Sequence, residues 1–493
     1  MTDHSNNSIN LYTWGVSTFA AVGSLLYGID SGIISTTIAQ DTFLEYFAPF
    51  DPSIKGAVVS TFGAGSFFGV LLAGWSADKY GRKRTIQFAA LVALISGIVQ
   101  AAAVDVSMLI VGRILGGFAV GIMNLTIPIY NSEIAPPSKR GMVTGLHAQF
   151  VGFGFAAANW IGFGSGYASG SFKWRFPLAF QCVPAIILLL GSYWLPFSPR
   201  WLLERERDEE AFEIIKRLHS GSGRNDVELR MEFDRMREQI RYDNAVNVRS
   251  VRELVTKKSY RKRLALAITV QVFTQLSGIN VINYYQTDLY KSVGITGHTV
   301  NLLAGCYGMV GPLANIICLL YVDTWGRKKS LYITGLLMAI DMSLIMSLTA
   351  AFATGTNRVG QGWAIAFIFL FSIIYSMGFN SIHIIYVPEI LNQAIRAQGS
   401  SLSIMCNVLI NILFNQVSPI AFANIGWRYY SVFIVTNVLG AVTVWSWFPE
   451  TKGRSLEEVG ALFGEEIVVE SDIAAAKLAV AEEEEVGIAR RGT

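Results

Sequence analysis

Long apolar stretches recur along the chain, separated by short polar connections. A transmembrane helix needs roughly 20 mostly apolar residues. Twelve stretches reach that length: about 12–38, 56–77, 86–104, 107–130, 141–165, 175–195, 263–292, 299–323, 330–353, 362–388, 398–420 and 428–448. Lys and Arg gather at alternate connections: Lys79 to Arg84, Lys139 and Arg140, the 200–263 segment, Arg327 to Lys329, and Arg396. The other connections are poor in them, and the loop near 39–55 holds only Lys55. By the positive-inside rule, the basic loops and both termini are expected in the cytoplasm. An even number of spans agrees. The polar N-terminus, Thr2 to Asn10, lacks the layout of a cleaved signal, so the first span should remain in the mature protein.

The polar punctuation repeats half a chain later. Asp78-Lys-Tyr-Gly-Arg-Lys-Arg84 returns as Asp323-Thr-Trp-Gly-Arg-Lys-Lys329, an offset of 245. Glu133 stands seven residues before Arg140, and Glu389 seven before Arg396, an offset of 256. Pro196-Phe-Ser-Pro-Arg200 is matched by Pro449-Glu-Thr-Lys-Gly-Arg454 at 253. This implies a duplicated bundle, the architecture of carriers that rock two halves about a central site. The expected fold is all-α and polytopic: twelve transmembrane helices in two pseudo-symmetric six-helix bundles. The expected units are a cytoplasmic N-terminus (1–11), a first bundle (12–197), a cytoplasmic linker with short helices (198–262), a second bundle (263–448) and a cytoplasmic tail (449–493).

Composition agrees with that pattern. The chain is 52% hydrophobic and 15% charged, against about 25% charged in soluble domains. A net charge of +3, spread beside apolar segments, gives no footprint for a nucleic-acid partner. Cys182, Cys306, Cys318 and Cys406 all lie in apolar runs, without the spacing of a metal site or redox pair. No phosphate-cradling loop or nucleophile–base pair stands out, so neither an enzyme nor a cofactor is expected. Gly63, Gly65, Gly69 and Gly74 fall along one span and Gly112, Gly116, Gly117 and Gly121 along another, which suits close helix packing.

Two kinds of polar residue break the spans. Asp30 lies deep in the first, within Leu26-Tyr-Gly-Ile-Asp-Ser-Gly32. A charge at mid-helix costs about 2.5–3.5 kcal/mol on insertion scales, so it needs a partner or a task, and Arg113 in the fourth span is the candidate partner. Asp341 sits in the ninth span with no candidate partner. The seventh span carries Gln275, Asn280 and Tyr284 at spacings of five and four, compatible with one face of a broken helix. The Gly-Arg turns sit where Arg reaches carboxylates and helix C-termini. Asp78, Arg82, Glu133 and Arg140 are expected to form one ionic cluster, and Asp323, Arg327, Glu389 and Arg396 its counterpart.

The ordered set Asp78–Arg84, Gly112-Arg113, Tyr130–Gly141, Ser198-Pro-Arg-Trp-Leu202, Gln275-Leu-Ser-Gly-Ile-Asn280 with Tyr284-Tyr285, Asp323–Lys329 and Pro449-Glu-Thr-Lys-Gly453 resembles the sugar porter family of the major facilitator superfamily, over nearly the whole chain. Asn424-Ile-Gly-Trp427-Arg-Tyr-Tyr430 is similar to fungal members. The resemblance implies a carrier that moves sugars, polyols or related solutes by alternating access, with sugar, protons and the lipid bilayer as partners, a monomeric functional unit, and a plasma-membrane location. It implies that the ionic clusters hold the outward-facing state; topological anchoring is the alternative. It implies a proton-coupling pair of Asp30 and Arg113; a structural ion pair is the alternative. It also implies substrate contacts from Gln275, Asn280 and Tyr284, from Asn407 and Asn411 by spacing from Arg396, and from Gln149. Asn380 and His383 join them if the tenth span faces the cavity. Amides donate and accept, and aromatic faces suit C–H surfaces, which is what a neutral polyhydroxyl ligand needs.

Several positions depart from the family pattern. Thr274 replaces the first Gln of the usual pair, Ala148 stands at the fifth-span Gln with His147 and Gln149 beside it, Ile384 stands where a Trp is usual, and Phe197 replaces a Glu. These departures touch the ligands, so they bear on which sugar is carried. The function expected is import by proton symport, with a facilitator, a specialised-metabolite exporter and a non-transporting sugar sensor as alternatives.

Overall fold

The computed structural model describes residues 10–136, 140–219, 256–352, 357–391 and 395–452, with separate positions in 227–240 and 459–463. The expected N-terminal segment to residue 9, much of the expected linker and the tail from 464 lie outside the described residues. Among those described there are helices and no strands.

The first half comprises α1 (Leu11–Ala20), α2 (Val22–Thr37), α3 (Asp41–Tyr46), α4 (Pro52–Tyr80), α5 (Arg82–Ala101), α6 (Val106–Ile134), α7 (Arg140–Ser165), α8 (Phe172–Phe180) and α9 (Cys182–Gly191). Two short helices follow, α10 (Pro199–Glu204) and α11 (Asp208–His219). The second half comprises α12 (Lys258–Leu276), α13 (Ile279–Ser292), α14 (His298–Trp325), α15 (Arg327–Phe352), α16 (Arg358–Tyr375), a π-turn at Ser376–Asn380, α17 (Ser381–Ile390), α18 (Arg396–Ile425) and α19 (Tyr430–Trp447). Among the described residues, ten segments are long and apolar enough to cross a membrane. One of them, Gln398–Trp447, holds both α18 and α19. Helix α7 stands outside the ten, its apolar run diluted by His147, Gln149 and Asn159. All twelve expected spans are thus helical, six in each half.

The duplication is visible in matched geometry. Gly81 ends α4 at φ 86°, ψ 154°, and Gly326 ends α14 at φ 84°, ψ 156°. Both angles lie where a Cβ is strained, so the turn requires glycine. Arg82 and Arg327 then open α5 and α15. Tyr130 donates to the Pro196 carbonyl at 2.8 Å, and Tyr386 to the Pro449 carbonyl at 2.9 Å. The first span of each half is broken in mid-membrane: α1 from α2 at Ala21, and α12 from α13 at Ser277 and Gly278, the latter at φ 90°.

Glycine sets how closely the helices approach. A Cβ on Gly28 of α2 would stand 2.0 Å from the Val151 carbonyl oxygen of α7, and one on Gly117 of α6 1.9 Å from that of Phe62 in α4. Between the halves, α4 packs on α18, α7 on α14 and α2 on α13. The polar contacts that join the halves gather at the end opposite the Gly81 and Gly326 turns. Lys55 meets Asp288 at 2.7 Å, Thr287 donates to the Ser35 carbonyl at 3.0 Å, and Gln286 donates to Asn159 at 3.0 Å. Toward the turn end, a Cβ on Gly74 of α4 or Gly145 of α7 would meet open space.

Candidate substrate site and gates

Breaking the seventh span frees backbone groups and brings its polar side chains to one locus. Gln275 at the end of α12 is the hub. Its Nε2 donates to Asn407 Oδ1 at 2.8 Å, while its Oε1 accepts from Asn280 at 2.6 Å and from Asn411 at 3.0 Å. Asn407 donates on to Gln271 Oε1 at 3.0 Å, and Asn415 donates to Asn411 at 2.8 Å. Tyr285 donates to the Asn415 carbonyl at 2.6 Å. Four of the expected ligands, Gln275, Asn280, Asn407 and Asn411, therefore form one amide cluster between α12, α13 and α18. Gln271 and Asn415 belong to it and were not expected, and Tyr285, marked beside Tyr284 in the seventh span, joins it through Asn415. The signal was available for Gln271 and Asn415: Gln271 stands four residues before Gln275 on α12, and Asn407, Asn411 and Asn415 recur every four residues along one face of α18.

The remaining candidates make no hydrogen bond to this cluster among the described residues. Tyr284 is buried on α13, with Tyr285 the nearest kink in that helix. Both stand near the Arg113 guanidinium. Gln149 keeps both amide atoms out of solvent with no hydrogen-bond partner among the described residues. Asn380 donates to Asn315 at 3.5 Å. His383 donates to the Phe379 carbonyl at 3.0 Å, within its own span, and stacks on the Phe379 ring. The π-turn before it brings Gly378 against α15, where a Cβ would stand 1.8 Å from Thr334 Oγ1. Such turns re-aim a helix face and occur often at functional sites. Ile384, at the position of the usual Trp, is 49% exposed. In the first half, His147 bridges Ser24 (2.7 Å) and Asn124 (3.0 Å).

Asp30 and Arg113 meet as expected. Arg113 Nη1 lies 2.7 Å from Asp30 Oδ1, and the two residues are 0% and 2% exposed. Arg113 also donates to the carbonyls of Val58 and Asp30, both at 3.2 Å, and its guanidinium lies 4.3 Å from the centre of the Phe62 ring. Gly116 makes room for the pair, since a Cβ there would stand 2.7 Å from Asp30 Oδ2. Asp341 is 2% exposed, and neither carboxylate oxygen has a hydrogen-bond partner among the described residues.

The two ionic clusters at the turn end share a plan and differ in detail. Arg82 contacts Glu133 at 2.9 Å, Asp78 at 3.6 Å and, unexpectedly, Glu204 of α10 at 3.9 Å. Burial pushes the Glu204 carboxyl above its usual range, against the pull of Arg82. Arg327 contacts Glu389 at 3.0 Å. Glu450 caps α15 by accepting from the Arg327 and Lys328 backbone N–H groups at 2.9 and 3.1 Å. Phe197 stands at the matching place in the first half, stacked on Trp201 with Lys83 Nζ 5.3 Å from its ring centre. Arg396 donates to the Leu391 carbonyl at 3.4 Å. The side chains of Arg140 and Asp323 lie outside the described residues.

A family model described as "Sugar (and other) transporter" matches residues 16–463. The chain belongs to this family. It is 37% identical over 445 residues to the MFS-type transporter criB of Aspergillus cristatus, covering 90% of this chain and 92% of that protein. It is 30% identical over 475 residues to a high-affinity glucose transporter of Kluyveromyces lactis, covering 93% and 86%. Its fold matches the inward open conformation of the xylose transporter XylE from E. coli with a TM-score of 0.77 at 24% identity, covering 92% and 100%. The chain is therefore a multi-pass membrane transporter of the major facilitator fold, and not an enzyme.

Proposed function

We propose that this transporter imports a monosaccharide, disaccharide or related polyol by alternating access, driven by proton symport through Asp30 and Arg113. The observation that carries the reading is the sealed Asp30–Arg113 pair, beside which α13, the helix that holds Asn280 in the amide cluster, brings Tyr284 and Tyr285. A buried acid held by one guanidinium has two alternatives on separation, a new partner or a proton. Exchanging Arg113 for a proton at Asp30 is the coupling step. The amide cluster of Gln275, Asn280, Asn407 and Asn411 provides the hydroxyl-binding wall. On this reading Tyr284, Gln149, Asn380 and His383 supply the remaining substrate contacts. The relatives named for glucose and xylose support a sugar substrate.

On this reading the basic turns and both termini are cytoplasmic, and the membrane is the plasma membrane. The halves meet at the outer end, so the state described is closed to the outside. The Arg82–Glu133 and Arg327–Glu389 clusters, with Asp78, Arg140, Asp323 and Arg396, close the inner end in the opposite state. One chain is the functional unit.

The test is uptake of labelled hexoses, pentoses, disaccharides and polyols by yeast lacking its own sugar carriers, with and without a protonophore. Protonophore-sensitive accumulation of one compound is expected. Insensitive, equilibrating uptake would replace symport with facilitation. Absence of uptake by protein that has reached the cell surface would overturn sugar import.

A further inference from the structure

The outer end of the bundle is poor in cations, yet two of its lysines, Lys55 and Lys291, both reach across to the other half. Lys55, at the start of α4, places Nζ 2.7 Å from each carboxylate oxygen of Asp288 on α13. Lys291, at the end of α13, donates to the Ala39 carbonyl at 2.9 Å. On the other side of the bundle, Gln416 of α18 straddles α4: its Oε1 accepts from Ser60 at 2.8 Å, and its Nε2 donates to the Ser53 carbonyl at 3.2 Å. Gly56 lets the two backbones approach, since a Cβ there would stand 2.6 Å from the Gln416 carbonyl oxygen. None of these residues belongs to the amide cluster, the Asp30–Arg113 pair or the inner ionic clusters.

We propose that Lys55–Asp288 and Gln416–Ser60/Ser53 are two outer clasps that hold this carrier closed to the outside and set how often it opens there. The inference rests on the alternating-access reading. Opening outward must separate α4 from both α13 and α18, and so must break every one of these contacts. Lys55 and Asp288 keep 17% and 34% of their side-chain surface exposed. The charges released are therefore rehydrated at once, and the clasp is weak enough to open in each cycle. External salt reaches a pair this exposed and weakens it.

The test uses full-length carrier with its four native cysteines replaced by serine and Ala156→Cys added. Ala156 is buried at the α7–α14 junction, against Gly308 of the other half. Labelling by a membrane-impermeant maleimide from outside then reports outward opening. Substrate-dependent labelling in the parent establishes alternation independently of the clasps. Lys55→Met should raise the labelling rate about three- to five-fold, the factor expected for losing one part-exposed ion pair. The exchanged pair Lys55→Asp with Asp288→Lys should restore it, and Lys55→Arg should leave it unchanged. Gln416→Leu should raise labelling as Lys55→Met does. Equal labelling of Lys55→Met and parent would overturn the clasp, as would a rise that the exchanged pair fails to reverse. A parent whose labelling ignores substrate would instead remove the alternating-access reading beneath it.

Discussion

Replacing Asp30 with Asn separates coupling from binding. The amide keeps an oxygen near Oδ1, 2.7 Å from Arg113 Nη1, so the hydrogen bond survives while the ability to take up a proton is lost. Arg113 keeps the Val58 and Asp30 carbonyls and the Phe62 ring. Both changes leave buried Arg113 without its counter-charge, a loss of up to about 3–5 kcal/mol; Asp30→Ala is the harsher because it removes the hydrogen bond as well, and it is expected to lower the yield of folded carrier. The assay compares the two in proteoliposomes with an imposed pH difference of two units. One proton moving with one sugar draws about 2.7 kcal/mol from that gradient, a ceiling of roughly 100-fold accumulation. The parent should accumulate substrate well above unity. Asp30→Asn should stop at unity yet still exchange labelled for unlabelled substrate. Accumulation above unity by Asp30→Asn would refute coupling through this carboxylate. Loss of exchange along with accumulation would refute the separation of coupling from binding.

Three further predictions test neighbouring parts of the molecule. Gly116→Val drives side-chain atoms against Asp30 Oδ2 and Ser96, within 2.7 Å of both at Cβ alone; accumulation in the same proteoliposome assay should fall, and unchanged accumulation would show that the pair tolerates displacement. Gln275→Ala strips Asn280, Asn407 and Asn411 of a shared partner, each bond worth about 0.5–1.5 kcal/mol, so substrate affinity measured by binding should fall about ten-fold or more, and an unchanged affinity would place the substrate elsewhere. Glu450→Ala exposes two N–H groups at the start of α15, a cost of about 1–2 kcal/mol, whereas Phe197→Ala removes no such cap; thermal unfolding in detergent should show the larger loss for Glu450→Ala.

The spans, the duplication and the Asp30–Arg113 pair were legible because each leaves a local or strictly offset mark in the chain. A 20-residue apolar run is local. The Gly81 and Gly326 turns repeat at one offset because the same positive-φ geometry recurs. The mid-span charge of Asp30 points to that of Arg113 because each is costly alone in a bilayer, a signal that Asp341, with no such counterpart, lacks. The amide hub was partly legible: Gln275, Asn280 and Tyr285 were marked by the broken seventh span, and Gln271 and Asn415 share helix faces with Gln275 and Asn411, while their meeting depends on the packing of α18 on α12 and α13. Glu204 was hidden for the same reason, because nothing near it in sequence says that α10 folds back on the Arg82 turn. The outer contacts were hidden most deeply. Lys55 was visible as an isolated cation, but Asp288 lies 233 residues away, and pairing across the halves carries no periodic signal.

The division of chemistry between the halves bears on how sugar and proton affect one another. The only titratable pair buried in the membrane among the described residues is Asp30–Arg113, and it lies in the first half; the amide cluster lies in the second. A substrate that met the amides alone would not influence the proton. Helix α13 removes that separation. Its first turn holds Asn280 on the hub; its middle brings Tyr284 and Tyr285 near Arg113; its last turns carry Thr287, Asp288 and Lys291 to the first half. The helix hangs from Gly278 at φ 90°, a position without Cβ strain about which the whole segment can swing. A ligand that draws Asn280 away from Gln275 therefore moves the tyrosines beside the ion pair and strains the outer contacts through one short rigid element. Coupling of this kind is reciprocal: whatever substrate binding does to the hold of Arg113 on Asp30, protonation of Asp30 must do to substrate affinity. Asp30→Asn, fixed without the charge, should accordingly bind substrate with the affinity of the protonated parent at every pH, and a pH-dependent affinity in that variant would locate the titrating group elsewhere.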